Sequence, residues 1–385
     1  MQKAAALVAI ILAAGLAQAP VRAAVPQSAA RPAAQPPPQL NGLASLRSRA
    51  ERGDAAAQLN LGLRYAIGQG VPKNYVEAAA WFRLAADQGK ALAQLNLGWC
   101  YALGQGVAQD YTQAAAWYRK AADQGEPTAQ LKLGLLYASG DGVPQDDTEA
   151  VAWYRKAADQ GEPTAQFKLG MALANGRGVE RDAAQAVACF HKAAERGKAA
   201  AQFMLGVMYE HGHGVAQNLT EAAAWYRRAA EQDDVTAQLN LGACYELGRG
   251  MPLDLAQAAA WYRKAADQGE ARAQSNLGYA YANGRGVERD YLQAAAWYRK
   301  AADQGNASAQ FDLGELYARG LGVPRDVVEA YRWFSLAASR AASDDDRAAF
   351  SDSRDQLAKQ MSTSNLIDAQ RLVREWQAAF ESRPK

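Results

Sequence analysis

From residue 54 onward the apolar positions recur four apart, in short paired blocks separated by glycine. In residues 91–103, Ala93, Leu97 and Tyr101 stand on one face of a helix turning about 100° per residue, with Gly98 beside them where a neighbouring backbone is expected to approach closely. The stretch GQGV at 104–107 breaks that helix, because glycine supplies the positive backbone angles of a tight connection. A second helix starts at Asp110, which is followed three residues later by Gln113 in the manner of a capping box. Within AAAWYRKAADQG, residues 114–125, the pattern places Ala114, Tyr118 and Ala122 on a buried face with Trp117 on its shoulder. Arg119, Lys120 and Asp123 face solvent, and Gly125 closes the helix in the left-handed conformation.

The paired block returns at a fixed period. Trp81, Trp117, Trp153, Cys189, Trp225, Trp261, Trp297 and Trp333 are each 36 residues apart, and so are the glycines from Gly62 to Gly314. The cap residues Asn74, Asp110, Asp146, Asp182, Asn218, Asp254, Asp290 and Asp326 each precede a Glu or Gln by three. A catalytic group is needed once per site, so a stretch in this many copies is architecture, and these carboxylates and amides are capping groups. The expectation is an all-α solenoid of eight 36-residue helix pairs over residues 54–341, each pair burying its apolar face only against its neighbours. Residues 42–53 read as an N-terminal capping helix. Residues 342–385 read as C-terminal capping helices, with Leu366, Ala369, Leu372, Val373 and Trp376 as the apolar stripe that seals the last repeat.

Composition narrows the function classes. The chain of 385 residues is 49% hydrophobic, but alanine supplies much of that and only 8 Phe and 9 Trp are present, so thin local layers replace one large aromatic core. A net charge of +2 gives no field that would draw nucleic acid or an anionic membrane surface. Met1 to Ala23 has the form of a secretory signal: Lys3, an apolar run from Ala4 to Ala17, and a small-residue junction at Val21-Arg22-Ala23. Residues 24–41 are a Pro/Ala-rich linker. The expected product is an exported, periplasmic protein with no direct membrane insertion after signal removal. Cys100, Cys189 and Cys244 form no disulfide framework and read as buried small hydrophobes.

A repeat reading A-Q-x-x-L-G-x-x-Y-x-x-G-x-G-V-x-x-[DN]-x-x-[EQ]-A-x-x-W-[YF]-x-x-A-A, in eight registered copies, resembles the Sel-one-like repeat (SLR) family, relatives of the tetratricopeptide repeat. The resemblance implies a right-handed superhelix whose concave groove binds proteins or peptides, in signalling or envelope complexes. It also brings an enzymatic alternative, because some cysteine-rich relatives are linked to penicillin binding or hydrolysis. This chain lacks their cysteine pairs and has no Ser-x-x-Lys sequence before a plausible nucleophile helix. A third reading is an assembly or stability factor for a membrane complex.

Function then lies where the copies differ. Opposite the buried stripe of the first helix, the line equivalent to residue 99 reads Leu63, Trp99, Leu135, Met171, Val207, Ala243, Tyr279 and Glu315. The line at 95 adds Phe167, Phe203 and Phe311, as groove residues or as packing. Beside it run Asn60, Asn96, Lys132, Lys168, Met204, Asn240, Asn276 and Asp312. An apolar strip flanked by amides and lysines suits a peptide, whose side chains need pockets and whose backbone needs hydrogen-bond partners. The candidate groove is Trp99, Lys132, Leu135, Phe167, Lys168, Met171, Phe203, Val207 and Tyr279, centred on repeats four and five. Those repeats also hold Cys189, His191, Glu210, His211 and His213, but a His-Gly-His turn and a cysteine in a tryptophan slot have no zinc-finger spacing, and no metal or other cofactor is expected. The tripeptides at Asn218 and Asn306 match glycosylation acceptors; Asn218 is already a helix cap.

Overall fold

A computed structural model describes residues 39–383. The expected signal segment, 1–23, lies outside them, as does the linker up to Pro38. Among the described residues there are nineteen helices and no strand. The helix α1 (Gln39–Glu51) precedes eight pairs: α2 and α3 (Ala55–Ile67, Tyr75–Asp87), α4 and α5 (Ala91–Leu103, Tyr111–Asp123), α6 and α7 (Pro127–Ser139, Asp147–Asp159), α8 and α9 (Pro163–Asn175, Ala183–Glu195). They continue with α10 and α11 (Ala199–His211, Leu219–Ala230), α12 and α13 (Val235–Leu247, Leu255–Asp267), α14 and α15 (Ala271–Asn283, Tyr291–Asp303), and α16 and α17 (Ala307–Arg319, Val327–Arg340). Two last helices follow, α18 (Asp344–Ala358) and α19 (Thr363–Glu381). The α-solenoid is therefore present as eight tandem helix pairs. The chain forms two compact units, one closing at Ala200 and one running from Ala201.

All eight expected caps form. Asp110, with an extended backbone, accepts from the Gln113 amide at 3.0 Å, and the other seven accept from backbone amides in the same way. The reciprocal half of the capping box is not made. The Asp110 N–H donates instead to the Tyr101 carbonyl at 3.0 Å, and each of the other seven cap residues donates to the carbonyl nine positions earlier. The turn between the paired helices has already taken the amide that the Glu or Gln would have accepted from.

Three glycines per repeat have separate causes. Gly104 caps α4 at φ 66°, and its N–H returns to the Cys100 carbonyl. Gly106, at φ 76°, faces the preceding repeat, where a methyl group on it would lie 1.9 Å from the Tyr75 carbonyl oxygen. Gly98 was expected to admit a neighbouring backbone; a methyl there would meet chiefly the Tyr118 ring of the same repeat, at 2.7 Å, with the Ala114 carbonyl behind it at 3.3 Å. The two helices of a pair are thus held at the thickness of one ring.

Trp117, Trp153, Trp225, Trp297 and Trp333 are buried rather than shouldered, while Trp81 and Trp261 are half-buried. The arginine of the motif does not simply face solvent: the Arg119 guanidinium lies 5.6 Å from both the Tyr137 and Trp153 rings, and it donates to the Tyr137 hydroxyl. Lys120 lies 3.8 Å over Trp117. Cys100 and Cys244 are buried, Cys189 only half-buried, and all three are free thiols.

The most regular polar feature is a buried glutamine on each first helix. Gln94 donates through Nε2 to the Ala86 carbonyl at 3.1 Å, at the end of α3, which also accepts the Gly89 N–H of the closing turn at 2.9 Å. Its Oε1 accepts from Gln124 at 2.7 Å, at the end of its own repeat's second helix. The same pair of bonds recurs at Gln58, Gln130, Gln238 and Gln274. Because Gln58 reaches the Ala50 carbonyl at 3.0 Å, α1 takes the place that the second helix of the preceding repeat holds elsewhere in the array. At the other end, Phe350 of α18 stacks on Phe311 at 4.6 Å, and Trp376 of α19 meets Trp333 edge-on at 6.4 Å.

Gly106 and Gly70 share a positive φ but not a neighbour, since Gly70 has only the Arg64 guanidinium, at 3.6 Å. Gly70→Ala should therefore cost about 1 to 2 kcal/mol, the left-handed penalty alone. Gly106→Ala should cost more than about 3 kcal/mol, because a backbone must also move. Thermal unfolding of the two variants side by side checks the difference.

Candidate functional site

The face opposite the buried stripe is built differently in the two units. In the first unit Trp99 is 49% exposed and Leu63 37%. Lys132, from the next first helix, holds its Nζ 5.6 Å from the Trp99 ring centre. Leu135, Phe167, Lys168 and Met171 are half-buried. The Phe167 ring tilts against Phe190 at 5.8 Å, so its inner side is packing and its rim is surface. Burial lowers the pKa of Lys168, and the nearby charges of Lys198 and Arg177 act in the same direction. Arg177 is anchored by Asp147 at 2.8 Å and donates to the Ala138 carbonyl at 3.3 Å. This stretch is an aromatic and aliphatic surface bordered by cations.

In the second unit the expectation for Phe203 is corrected. The ring is only 5% exposed and packs against Tyr226 at 5.8 Å, so it is a core residue. Its position on the first helix faces the second helix of its own repeat, and a large ring there is drawn into the gap. Met204 is buried as well, Val207 is half-buried, and Tyr279 remains 43% exposed. The line at 95 is mainly packing, with Leu131, Leu239 and Ser275 also buried.

Sequence reading missed the polar rungs beside these residues. Buried Tyr226 donates through its hydroxyl to Glu210 at 2.6 Å, and Glu210 pairs with Arg249 at 3.7 Å. One repeat later Tyr262 donates to Glu246 at 2.7 Å, and Glu246 pairs with Arg285 at 3.4 Å, whose guanidinium lies 5.7 Å from the Tyr279 ring. Burial first, and then the adjacent glutamate, raises the pKa of both tyrosines, so they remain donors. The signal was available: Glu210 and Glu246 break a line that reads alanine in the other six repeats. Asp312 stands at the end of this series, hydrogen-bonded to Tyr298. Burial lifts its carboxyl from 3.8 to about 6, the Tyr298 bond opposing and Glu315 adding to the rise.

The histidines do not form a centre. His211 and His213 stack flat at 5.6 Å, and His211 Nδ1 lies 3.0 Å from the Val207 carbonyl of its own helix. Among the described residues no group of three or more His, Cys, Asp or Glu is placed to hold a metal ion. No described helix is long and apolar enough to cross a membrane.

Asp312 supplies a pH test. A carboxyl that is harder to ionise when folded binds more protons in the native state between pH 3.8 and about 6, so its contribution to stability is present below that window and is lost as the pH rises through it. Asp312→Asn keeps an acceptor for Tyr298 and removes the buried charge. The variant should be more stable than the parent by about 1 to 3 kcal/mol at pH 7.5 and indistinguishable near pH 4. Denaturant unfolding at the two pH values checks it.

The model of the Sel1 repeat matches eight consecutive segments: 55–90, 91–126, 127–162, 163–198, 199–234, 235–270, 271–306 and 307–341. Among solved structures, the chain is similar to a Sel1 repeat protein from Oxalobacter formigenes, with 39% identity over 81% of this chain and 90% of that one, and a TM-score of 0.61. It is also similar to c5321, described as a protective antigen present in uropathogenic Escherichia coli strains displaying an SLR fold, with 32% identity over 89% and 98% of the two chains and a TM-score of 0.54. No functionally curated protein matches. Eight registered matches spanning most of the chain, on eight capped helix pairs, make this protein a member of the Sel1 repeat family.

Proposed function

We propose that this protein is an exported, periplasmic scaffold that binds a protein or peptide along the variable face of its first helices, in envelope signalling or complex assembly. Proteins of the Sel1 repeat family are protein-interaction scaffolds and generally non-catalytic. The observation that carries the finer reading is the exposure of Trp99 and Tyr279, 49% and 43%, at the register where the repeats differ. The ring at the 118 position of every second helix is buried, whether Tyr or Phe. An aromatic side chain left in water forfeits about 25 cal/mol for each Å² it could bury, and contact with a partner recovers it. In the first unit Lys132, Lys168 and Arg177 add a preference for acidic groups beside the apolar anchors. In the second, the Tyr-Glu-Arg rungs offer fixed donors and acceptors to a peptide backbone. Export rests on the charged, apolar and small-residue segments of residues 1–23.

Affinity capture from a periplasmic extract, followed by mass spectrometry, should recover a partner that the Trp99→Ala and Tyr279→Ala variants retain poorly. Each substitution should weaken binding by about 1 to 4 kcal/mol and alter folding stability by no more than about 0.5 kcal/mol. Phe203→Ala should instead destabilise the fold by about 3 to 5 kcal/mol. Undiminished recovery with both surface variants would remove the assignment of this face. N-terminal sequencing of the exported product should begin at Ala24, and a product retaining Met1 would overturn the export proposal.

A further inference from the structure

Two repeats lack the second half of the glutamine rung. The residue that would donate to the buried Oε1 is Arg196 in repeat four and Arg340 in repeat eight, where the others end in glutamine. Gln166 and Gln310 keep the first bond, to the Ala158 and Ala302 carbonyls at 3.2 and 3.0 Å, but their Oε1 atoms are buried without a partner. In both cases the arginine approaches the glycine that closes the preceding repeat: the whole Arg196 guanidinium lies over Gly161, while Gly305 is shared between one nitrogen of Arg340 and the Phe380 ring, whose Cζ would be 3.0 Å from a methyl there. A methyl on Gly161 would lie 2.6 Å from Arg196 Nη2, and one on Gly305 would lie 3.1 Å from Arg340 Nη1. The corresponding Gly89, Gly125 and Gly269 have nothing within 4 Å.

Repeat eight shows what this arrangement accommodates. The Phe380 ring of α19 lies 3.9 Å from the Arg340 guanidinium and stacks on Trp376 at 4.7 Å. One turn later Arg383 donates to the Asp303 carbonyl at 2.8 Å. The chain's own last helix therefore covers the gap with an aromatic ring and a basic residue three positions beyond it. In repeat four the equivalent set, Asp159, Gly161, Gln166 and Arg196, opens into a pocket of 370 Å³ that Lys192 and Glu195 also line.

We infer that this pocket receives an aromatic side chain from a helix of a partner protein. The ring lies on the outer face of Arg196, and a basic residue three positions later reaches the Asp159 carbonyl. A guanidinium already spread flat on glycine presents a full face to a ring. The carboxylates of Asp159 and Glu195 complement the basic residue that follows. The chain's own Phe380 is engaged in repeat eight, so the occupant is a different polypeptide. This face lies at the ends of the second helices and is separate from the variable face of the first.

A fluorescently labelled synthetic peptide of residues 362–383, which carries the Phe380 and Arg383 pair, is the probe for fluorescence anisotropy with the full chain. Binding should be saturable and should weaken at least about tenfold in the Arg196→Gln protein and with the Phe380→Ala peptide. Arg196→Gln restores the rung, so its melting temperature should rise, which separates lost binding from lost folding; Arg196→Ala serves as a second variant. Trp99→Ala should bind the probe as the parent does, whatever that substitution does to the groove partner. No saturable binding up to about 1 mM, or binding indifferent to either Arg196 variant or to the peptide substitution, would overturn the inference.

Discussion

A helix pair of this length leaves carbonyls at the end of its second helix with no intrahelical partner. In this protein turn amides reach those carbonyls, as the Gly89 N–H reaches Ala86 at 2.9 Å, and one of them takes a further bond that joins the repeats. At Gln58, Gln94, Gln130, Gln238 and Gln274 the buried glutamine of the first helix reaches back eight residues to one such carbonyl and accepts the amide of the glutamine that ends its own repeat, as Gln94 does between Ala86 and Gln124. One side chain thus reads the position of two helix ends from two successive repeats. An amide buried without these partners would cost on the order of 1 to 3 kcal/mol, so the arrangement is defined as well as stabilised by it.

Steric limits set the rest of the spacing. Gly98 leaves space for the Tyr118 ring, which fixes the gap within a pair, and Gly106 leaves space for the Tyr75 carbonyl, which fixes the gap between pairs. Alanines at the remaining contacts, such as Ala93, Ala114 and Ala121, are completely buried and keep the layers thin. With so little side-chain volume at the junctions, the large side chains are left free to differ on the outer face of the first helices. Trp99 in one unit and the Glu210 and Glu246 rungs in the other are consequences of that freedom.

The irregular repeats are informative for the same reason. Where Arg196 and Arg340 replace the amide donor, the fold persists, because the bond to the alanine carbonyl still ties the repeats together. What changes is the surface. In repeat four a guanidinium over a glycine takes the place of a closed hydrogen bond, and in repeat eight the guanidinium and an aromatic ring meet at that glycine.

The fold was legible in the sequence to the level of individual caps. The period of 36, the residues from Asn74 to Asp326 that start the second helices, and the glycines that end them are local chemistry, repeated often enough to leave no competing register. The candidate site was less legible. Helical angles put Phe203 and Trp99 on the same outer face, yet one is 5% exposed and the other 49%. An angle gives the direction of a side chain but not the distance to the next helix in that direction. The glutamines of the rung stood in plain view, but their bonds join residues 8 and 30 positions apart, and only packing shows that these separations close in space. The sequence by itself determined the helices, their ends and their order, because those depend on groups within one turn of each other. Tertiary structure decided which equivalent positions are buried, which arginines leave their rung and which face is open, because those depend on the gap between neighbouring helices.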